Sequence, residues 1–243
     1  MPERFVTYMT GRNPTAVYID GYNLYYGRIR GTPYKWLDVV TLFERLLFEQ
    51  DPGSELVSVC YFSAPALAKY ATHGADSVLA QQDNLRALRQ AHPTRFSVMM
   101  GKHCHDPGGT SLPRFEEGKP FDRLSRVKVW KLEEKHTDVN LALSMYRAGC
   151  TGQFKQLVVC SNDSDIAPAL EALRSDFNNL NLGVVMPRRR PFVGERPHRS
   201  MSMALLKHAS WTRQYLLDSE LEAAQLPKVV PTRKKPIRKP GHW

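Results

Sequence analysis

The sequence predicts an α/β protein: three layers, α/β/α, around a central, mainly parallel sheet. Three observations carry that prediction. Short apolar runs at 15–20, 56–62, 96–100, 157–160 and 181–186 recur along the chain, and runs of that length read as strands buried on both faces. Segments with helical spacing separate them, and alternation of strand and helix builds right-handed βαβ units. Two of the runs lead directly into aspartates, Asp20 and the pair Asp163 and Asp165, and the reactive groups of open α/β sheets sit where strands end at their carboxyl side.

Each element has its own signal. Residues 1–14 form an irregular lead-in, and the first buried strand follows at 15–20, ending in Asp20. Gly21 then opens a tight turn into a short helix through Gly27. Residues 37–50 are apolar at 37, 39, 40, 42, 43, 46 and 47, a helical spacing, and Pro52-Gly53 ends the run. The strand at 56–62 is followed by a polar, partly basic helix at 76–91 and the strand at 96–100. Residues 102–125 break the pattern with Gly, Pro and charge, and predict an inserted mobile loop. Residues 126–132 alternate basic and apolar side chains, as an edge strand with one solvated face would. Val139, Ala142, Leu143 and Tyr146 fall on one helical face, with Thr137 or Asp138 as cap and Gly149 as stop. After the strand at 157–160, Pro168 opens another helix. The strand at 181–186 runs into Arg188, Arg189 and Arg190, and 203–217 forms a final helical or mixed element. One domain over 15–217 and a basic, Pro-rich, disordered tail at 218–243 complete the organisation.

The chain has 243 residues, 42% of them hydrophobic, enough for a sizeable core. Its net charge of +10 points to a polyanionic partner. Residues 226–243 contain six basic residues and no acid, so much of that charge is local. Four widely spaced cysteines make no disulfide framework, and Cys60 and Cys160 read as small core residues. A reduced, cytoplasmic setting follows. Residues 1–14 have no apolar core segment of the signal-peptide kind, and no run approaches the length that spans a bilayer.

The chemistry rests on the acids. Two ionised carboxylates held close repel, and stay charged only where a cation or strong donors offset them. Oxygen ligands favour Mg2+ or Mn2+. Aspartate in a strand-to-helix loop is also a natural helix cap. Asn23 lies three residues after Asp20, a spacing that brings both to one rim, and Asp138 projects from a helix N-terminus, where the dipole favours negative charge. His103, Cys104 and His105 are adjacent but lack the second pair a zinc site needs. The dinucleotide glycine fingerprint is missing around Gly21, and Tyr22 stands where an aspartyl phosphotransferase has its second acid.

Three blocks, at 17–23, 135–142 and 159–166, resemble the NYN domain, in particular its LabA-like branch related to PIN-domain nucleases. Asn162 stands where that family has glycine, and the 102–125 insertion has no counterpart in it. The resemblance implies a parallel sheet flanked by helices and a metal-dependent ribonuclease, or alternatively a non-catalytic RNA-binding module with a vestigial metal site. It implies Asp20, Asp138, Asp163 and Asp165 as metal-site acids holding Mg2+ or Mn2+, with Asn23 beside them. Lys102, Lys128, Lys131, Arg188, Arg189 and Arg190 are the residues expected to hold an RNA backbone. A homo-oligomer through the basic edge strand is a further expectation.

Overall fold

A computed structural model describes residues 12–192, 194–195 and 200–243, and for His105 the backbone alone; most of the expected lead-in lies outside the described residues. The elements are, in order, β1 Asn13–Asp20, α1 Gly21–Leu24, which runs on as a π-helical turn Tyr25–Ile29, α2 Val39–Gln50, β2 Ser54–Ser63, α3 Ala75–Ala91, β3 Phe96–Met100, β4 Lys102–His105, β5 Thr110–Pro113, β6 Arg126–Val129, β7 Leu132–Lys135, α4 Thr137–Thr151, β8 Gln156–Cys160, α5 Ala167–Asp176, β9 Asn181–Val185, α6 Met203–Leu206, β10 Trp211–Arg213, α7 Asp218–Ala223, β11 Val229–Val230 and β12 Ile237–Arg238.

Among the described residues six strands form one sheet in the order β10-β9-β8-β1-β2-β3, every pair parallel. Parallel strands need a crossover between them, and the crossover helices cover both faces. Alternation along β1 divides the core accordingly. Val17 and Ile19 point to the side of α2 and α3, and Ala16 and Tyr18 to the side of α4 and α5. The architecture is the three-layer α/β/α arrangement. No described helix is long and apolar enough to cross a membrane.

Local differences from the sequence expectations have physical causes. The 102–125 segment is not one loop: β4 pairs antiparallel with β7 and β5 with β6, outside the main sheet. The expected edge strand at 126–132 therefore splits between β6 and β7. Helix α4 runs through Gly149 and stops at Gly152, whose φ of 65° is the left-handed geometry that glycine adopts freely. Gly149 is small for another reason: a Cβ there would lie 2.7 Å from Leu173 and 2.9 Å from Phe177. The tail is packed rather than disordered, since Val230 and Ile237 are buried in the core. The indole of Trp36 donates to the Pro227 carbonyl at 2.9 Å. Buried Arg28 donates to the Leu216 carbonyl at 2.6 Å and pairs with Asp218, tying the tail to the π-helical turn.

Candidate active site

From β1 the chain winds to β2 and β3 on one side and returns to β8, β9 and β10 on the other. The order reverses between β1 and β8, and the crevice outside the carboxyl ends of such a pair is where ligands of open α/β sheets bind. Asp20 ends β1 there, and the segment after β8 brings Ser161, Asp163 and Asp165.

Asp20 is 1% exposed. Its Oδ1 accepts from the Asn23 backbone N–H at 2.9 Å, and its Oδ2 accepts from the Asn23 side-chain amide at 2.7 Å and the Ser161 hydroxyl at 2.8 Å. It thereby caps α1. Burial raises its pKa; the donors from Asn23 and Ser161 pull it down, and the charge of Asp163 adds to the rise. Ser161 Oγ also accepts from the Asp163 N–H at 3.0 Å, and Asp163 caps the next turn by accepting from the Asp165 N–H at 3.0 Å. Asp138 stands in the first turn of α4 and is half-buried. Burial first, then the charges of Asp20, Asp163, Glu134 and Asp165, push its pKa up to about 6. The four expected acids and Asn23 therefore converge on one rim. Glu134, on β7, is a fifth acid that the sequence reading missed; it accepts hydrogen bonds from the Thr137 amide and hydroxyl at the start of α4. The residue capping that helix is His136, left-handed at φ 81°, rather than Thr137 or Asp138.

The structure lends the Mg2+ or Mn2+ expectation no support. Among the described residues no three His, Cys, Asp or Glu side chains are arranged to hold one ion. Both oxygens of Asp20 accept from Asn23 and Ser161, and burial outweighs these donors, leaving its pKa raised. The six basic residues come from four segments, with Arg188, Arg189 and Arg190 together on one of them. Lys102 is on β4 and Lys128 on β6, both exposed, and Lys131 pairs with Glu133. Arg189 pairs with Glu195 and lies 4.6 Å over Phe192, while Arg190 is exposed. Arg188 does not face solvent as expected: it is 5% exposed, its guanidinium 5.3 Å from the Tyr215 ring.

Beside the acids lies a cavity of about 440 Å³ that sequence reasoning did not find. Among aliphatic and polar residues, its walls include Tyr22, Tyr25 and Tyr26 from α1 and the π-helical turn, Tyr61 from β2, then Tyr70 and Trp243. Tyr22 and Tyr26 have ring centroids 5.5 Å apart, Tyr25 and Tyr26 5.1 Å. Arg30 and Lys35 supply positive charge to the lining. The Tyr22 hydroxyl is 2.9 Å from Nε2 of His103, another lining residue. None of the four acids lines the cavity, but two tyrosines connect it to them. Tyr61 has its pKa raised by burial and then by the Asp20 charge. Tyr22 is pushed up to about 12 by burial, then by Tyr26 and Glu134. Gly21 lets the Tyr61 ring lie against the backbone, since a Cβ there would meet that ring at 2.6 Å. The readable signal was Tyr22, Tyr25 and Tyr26, at i, i+3 and i+4, which share one helical face.

No protein-family model matches the chain. A solved protein of unknown function from Vibrio parahaemolyticus covers 86% of this chain and 96% of its own, at 16% identity and a TM-score of 0.47, too weak to bear on fold or function. A curated relative, 6-hydroxy-3-succinoylpyridine 3-monooxygenase HspA from Pseudomonas putida, is 39% identical over 242 residues, covering 94% of this chain and 75% of the relative. This overturns the ribonuclease expectation and its RNA-binding alternative, because the relative is an oxidoreductase and not a phosphodiester hydrolase. The relative is an enzyme, so the expectation of an enzyme holds at that coarser level. With that identity along nearly its whole length, the chain belongs to the family of 6-hydroxy-3-succinoylpyridine 3-monooxygenase HspA.

Proposed function

We propose that the chain is a monooxygenase acting on a hydroxylated pyridine that carries a carboxylate-bearing side chain. The observation that carries this reading is the 39% identity to the Pseudomonas enzyme over 94% of the chain; the cavity supports it. Its volume of about 440 Å³ lies within the roughly 300–1,000 Å³ usual for small-molecule sites. A flat heteroaromatic ring stacks on or meets tyrosine edges, each such contact adding about 0.5–1.5 kcal/mol beyond the area it buries. A succinoyl group ends in a carboxylate, and Arg30 and Lys35 offer it charge-assisted hydrogen bonds.

Monooxygenation puts one atom of dioxygen into the substrate and releases the other as water, drawing two electrons and two protons from outside the substrate. The chain's own contribution is to bind and orient the ring, exclude water and supply protons. The Tyr22–His103 pair places an exchangeable proton on the cavity wall. Asp138, with its pKa raised to about 6, holds or releases a proton near neutrality. The charge of Glu134 acts on both Tyr22 and Asp138, which makes it the electrostatic link between cavity and acids.

The test is to incubate the purified protein with 6-hydroxy-3-succinoylpyridine, a reduced nicotinamide or reduced flavin, and dioxygen labelled with oxygen-18. Oxygen uptake that depends on substrate, with one labelled atom in the product, is the expected result. A product whose new oxygen comes from water, or uptake indifferent to the substrate, overturns the reading.

A further inference from the structure

A second cleft, of about 800 Å³, lies between the C-terminal end of α3 and the turn that joins β11 to β12. Five exposed cations line it, Arg86 and Arg89 from the helix and Arg233, Lys234 and Lys235 from the turn, and no acid does. Arg86 and Arg89, at i and i+3, are neighbours on the helix surface. Arg86 pairs with Asp83 at 2.7 Å. Among the described residues the other four cations make no ion pair. Gathering like charges opposes the compact state, yet here the turn that carries three of them is held in place. Val230 and Ile237 pair across the hairpin, and each is 4% exposed. The Thr232 hydroxyl donates to the Lys235 carbonyl at 2.9 Å and accepts from the Lys234 N–H at 3.2 Å. Pro231 and Pro236 bracket the turn, each with its φ fixed by the ring. The cations of the turn therefore sit on an ordered loop rather than a free tail.

We propose that this cleft binds a small anion with adjacent phosphate groups, of the nucleoside diphosphate class. The inference goes beyond the monooxygenase reading and does not depend on it. Guanidinium groups meet phosphate oxygens through paired N–H donors, and lysines add point charges. A diphosphate concentrates several negative charges over two linked centres, which matches a cluster of cations that no acid in the lining offsets. The volume lies within the roughly 300–1,000 Å³ of small-molecule sites and exceeds what a bare diphosphate fills. It leaves room for a nucleoside, whose base stacks on the flat face of an arginine. The cations come from two elements around one concave site, so a compact ligand reaches both sets together, which a flat bilayer does not. Two sources share this chemistry: a free nucleotide, and the diphosphate of a reduced nicotinamide dinucleotide. The second source would tie the cleft to the reaction, because α3 also lines the first cavity, through Gln81 and Leu85.

Calorimetric titration of the full chain with ADP, inorganic pyrophosphate, adenosine and citrate tests this. The proteins are wild type, Arg89→Ala, Lys234→Ala and Lys128→Ala, the last removing an exposed cation on β6 that does not line the cleft. Wild type is expected to bind ADP and pyrophosphate, to bind citrate more weakly, and not to bind adenosine. Arg89→Ala and Lys234→Ala each weaken ADP by about tenfold, the effect of one charge-assisted hydrogen bond, while Lys128→Ala leaves it unchanged. All three side chains are exposed, so the variants should melt with wild type. Absence of ADP binding to wild type, citrate bound as tightly as ADP, or an equal loss in Lys128→Ala would overturn the inference, the last two by reducing it to general charge attraction. Titrating NADH into the ADP complex then names the source. Displacement of ADP assigns the cleft to the electron donor, and ADP that stays bound assigns it to a free nucleotide; either result upholds the site. A cleft that binds no phosphate, beside a positive oxygen-18 assay, would remove this inference and leave the monooxygenase reading standing.

Discussion

Asp138→Asn should make the protein more stable at pH 7. The side chain keeps its size but loses a charge that its surroundings oppose: it is half-buried, and Asp20, Asp163, Glu134 and Asp165 all act on it. Ionising near pH 6 rather than at the ordinary 3.8 corresponds to about 3 kcal/mol of penalty on the charged form. Partial exposure screens this to about 1–2 kcal/mol. The N-terminus of α4 works the other way, favouring the charge by about 0.3–1 kcal/mol. The net gain is about 1 kcal/mol, or some 2–4 °C in Tm for a chain of this size. The pH dependence follows from the direction of the shift. The folded carboxyl holds its proton up to about pH 6, while the unfolded one releases it near 3.9, so between those values the folded state binds more protons. Wild-type stability from this group therefore falls as pH rises through that window, and Asn lacks the dependence. The advantage of Asp138→Asn should be largest at pH 7 and shrink as pH falls from about 6 towards 4. Urea denaturation of both proteins across that range measures it. A variant less stable than wild type at pH 7, or a gain independent of pH, would refute the reasoning.

Three further outcomes follow from the same geometry. Ser161→Ala should cost about 1–3 kcal/mol in urea unfolding, because it removes a donor to buried Asp20 and the acceptor of the Asp163 N–H together. Gly149→Ala, a change that ordinarily favours a helix by about 1 kcal/mol, should destabilise this one. Its Cβ would press on Leu173 and Phe177, overpacking that costs about 1–3 kcal/mol, and thermal melts decide the sign. Trp243→Ala should raise KM for the hydroxypyridine by about 2- to 10-fold, from loss of an aromatic contact worth about 0.5–1.5 kcal/mol. Steady-state kinetics should show kcat moving less, since Trp243 lines the cavity and rests 6.2 Å from Trp36, away from the acids.

The strands of the sheet's centre were legible because they are buried on both faces, and such burial leaves a continuous apolar run that needs no partner to be recognised. β8 shows it, with all five residues buried. What escaped depends on distant partners. β10 is three residues long and exists through pairing with β9, where Gly183 leaves room for the Trp211 ring. Nothing around 211–213 announces that. The tail reads as disordered by composition, yet Leu221, Ala224, Leu226, Val230 and Ile237 are buried in the core. Gly149 looked like a helix stop because local sequence cannot distinguish a glycine needed for its backbone from one needed for its lack of a side chain.

The acids illustrate a different limit. Their convergence could be read from the sequence, since each stands at a strand end or helix start that a doubly wound sheet brings to its switch point. Their chemistry could not, because an aspartate in a sequence does not show which donors and charges reach it in the fold. The donors of Asp20 come from Asn23, three residues away, and from Ser161, 141 residues away, and only the fold shows that both reach it. The cavity is likewise assembled from residues between Gly21 and Trp243, with the Tyr22, Tyr25 and Tyr26 face as the part that shows in local sequence. The acids stand behind the cavity rather than in it, and reach it electrostatically through Tyr61 and through Glu134 and Tyr22. Under the proposed function, that arrangement suits proton supply to a ring held against the cavity's tyrosines.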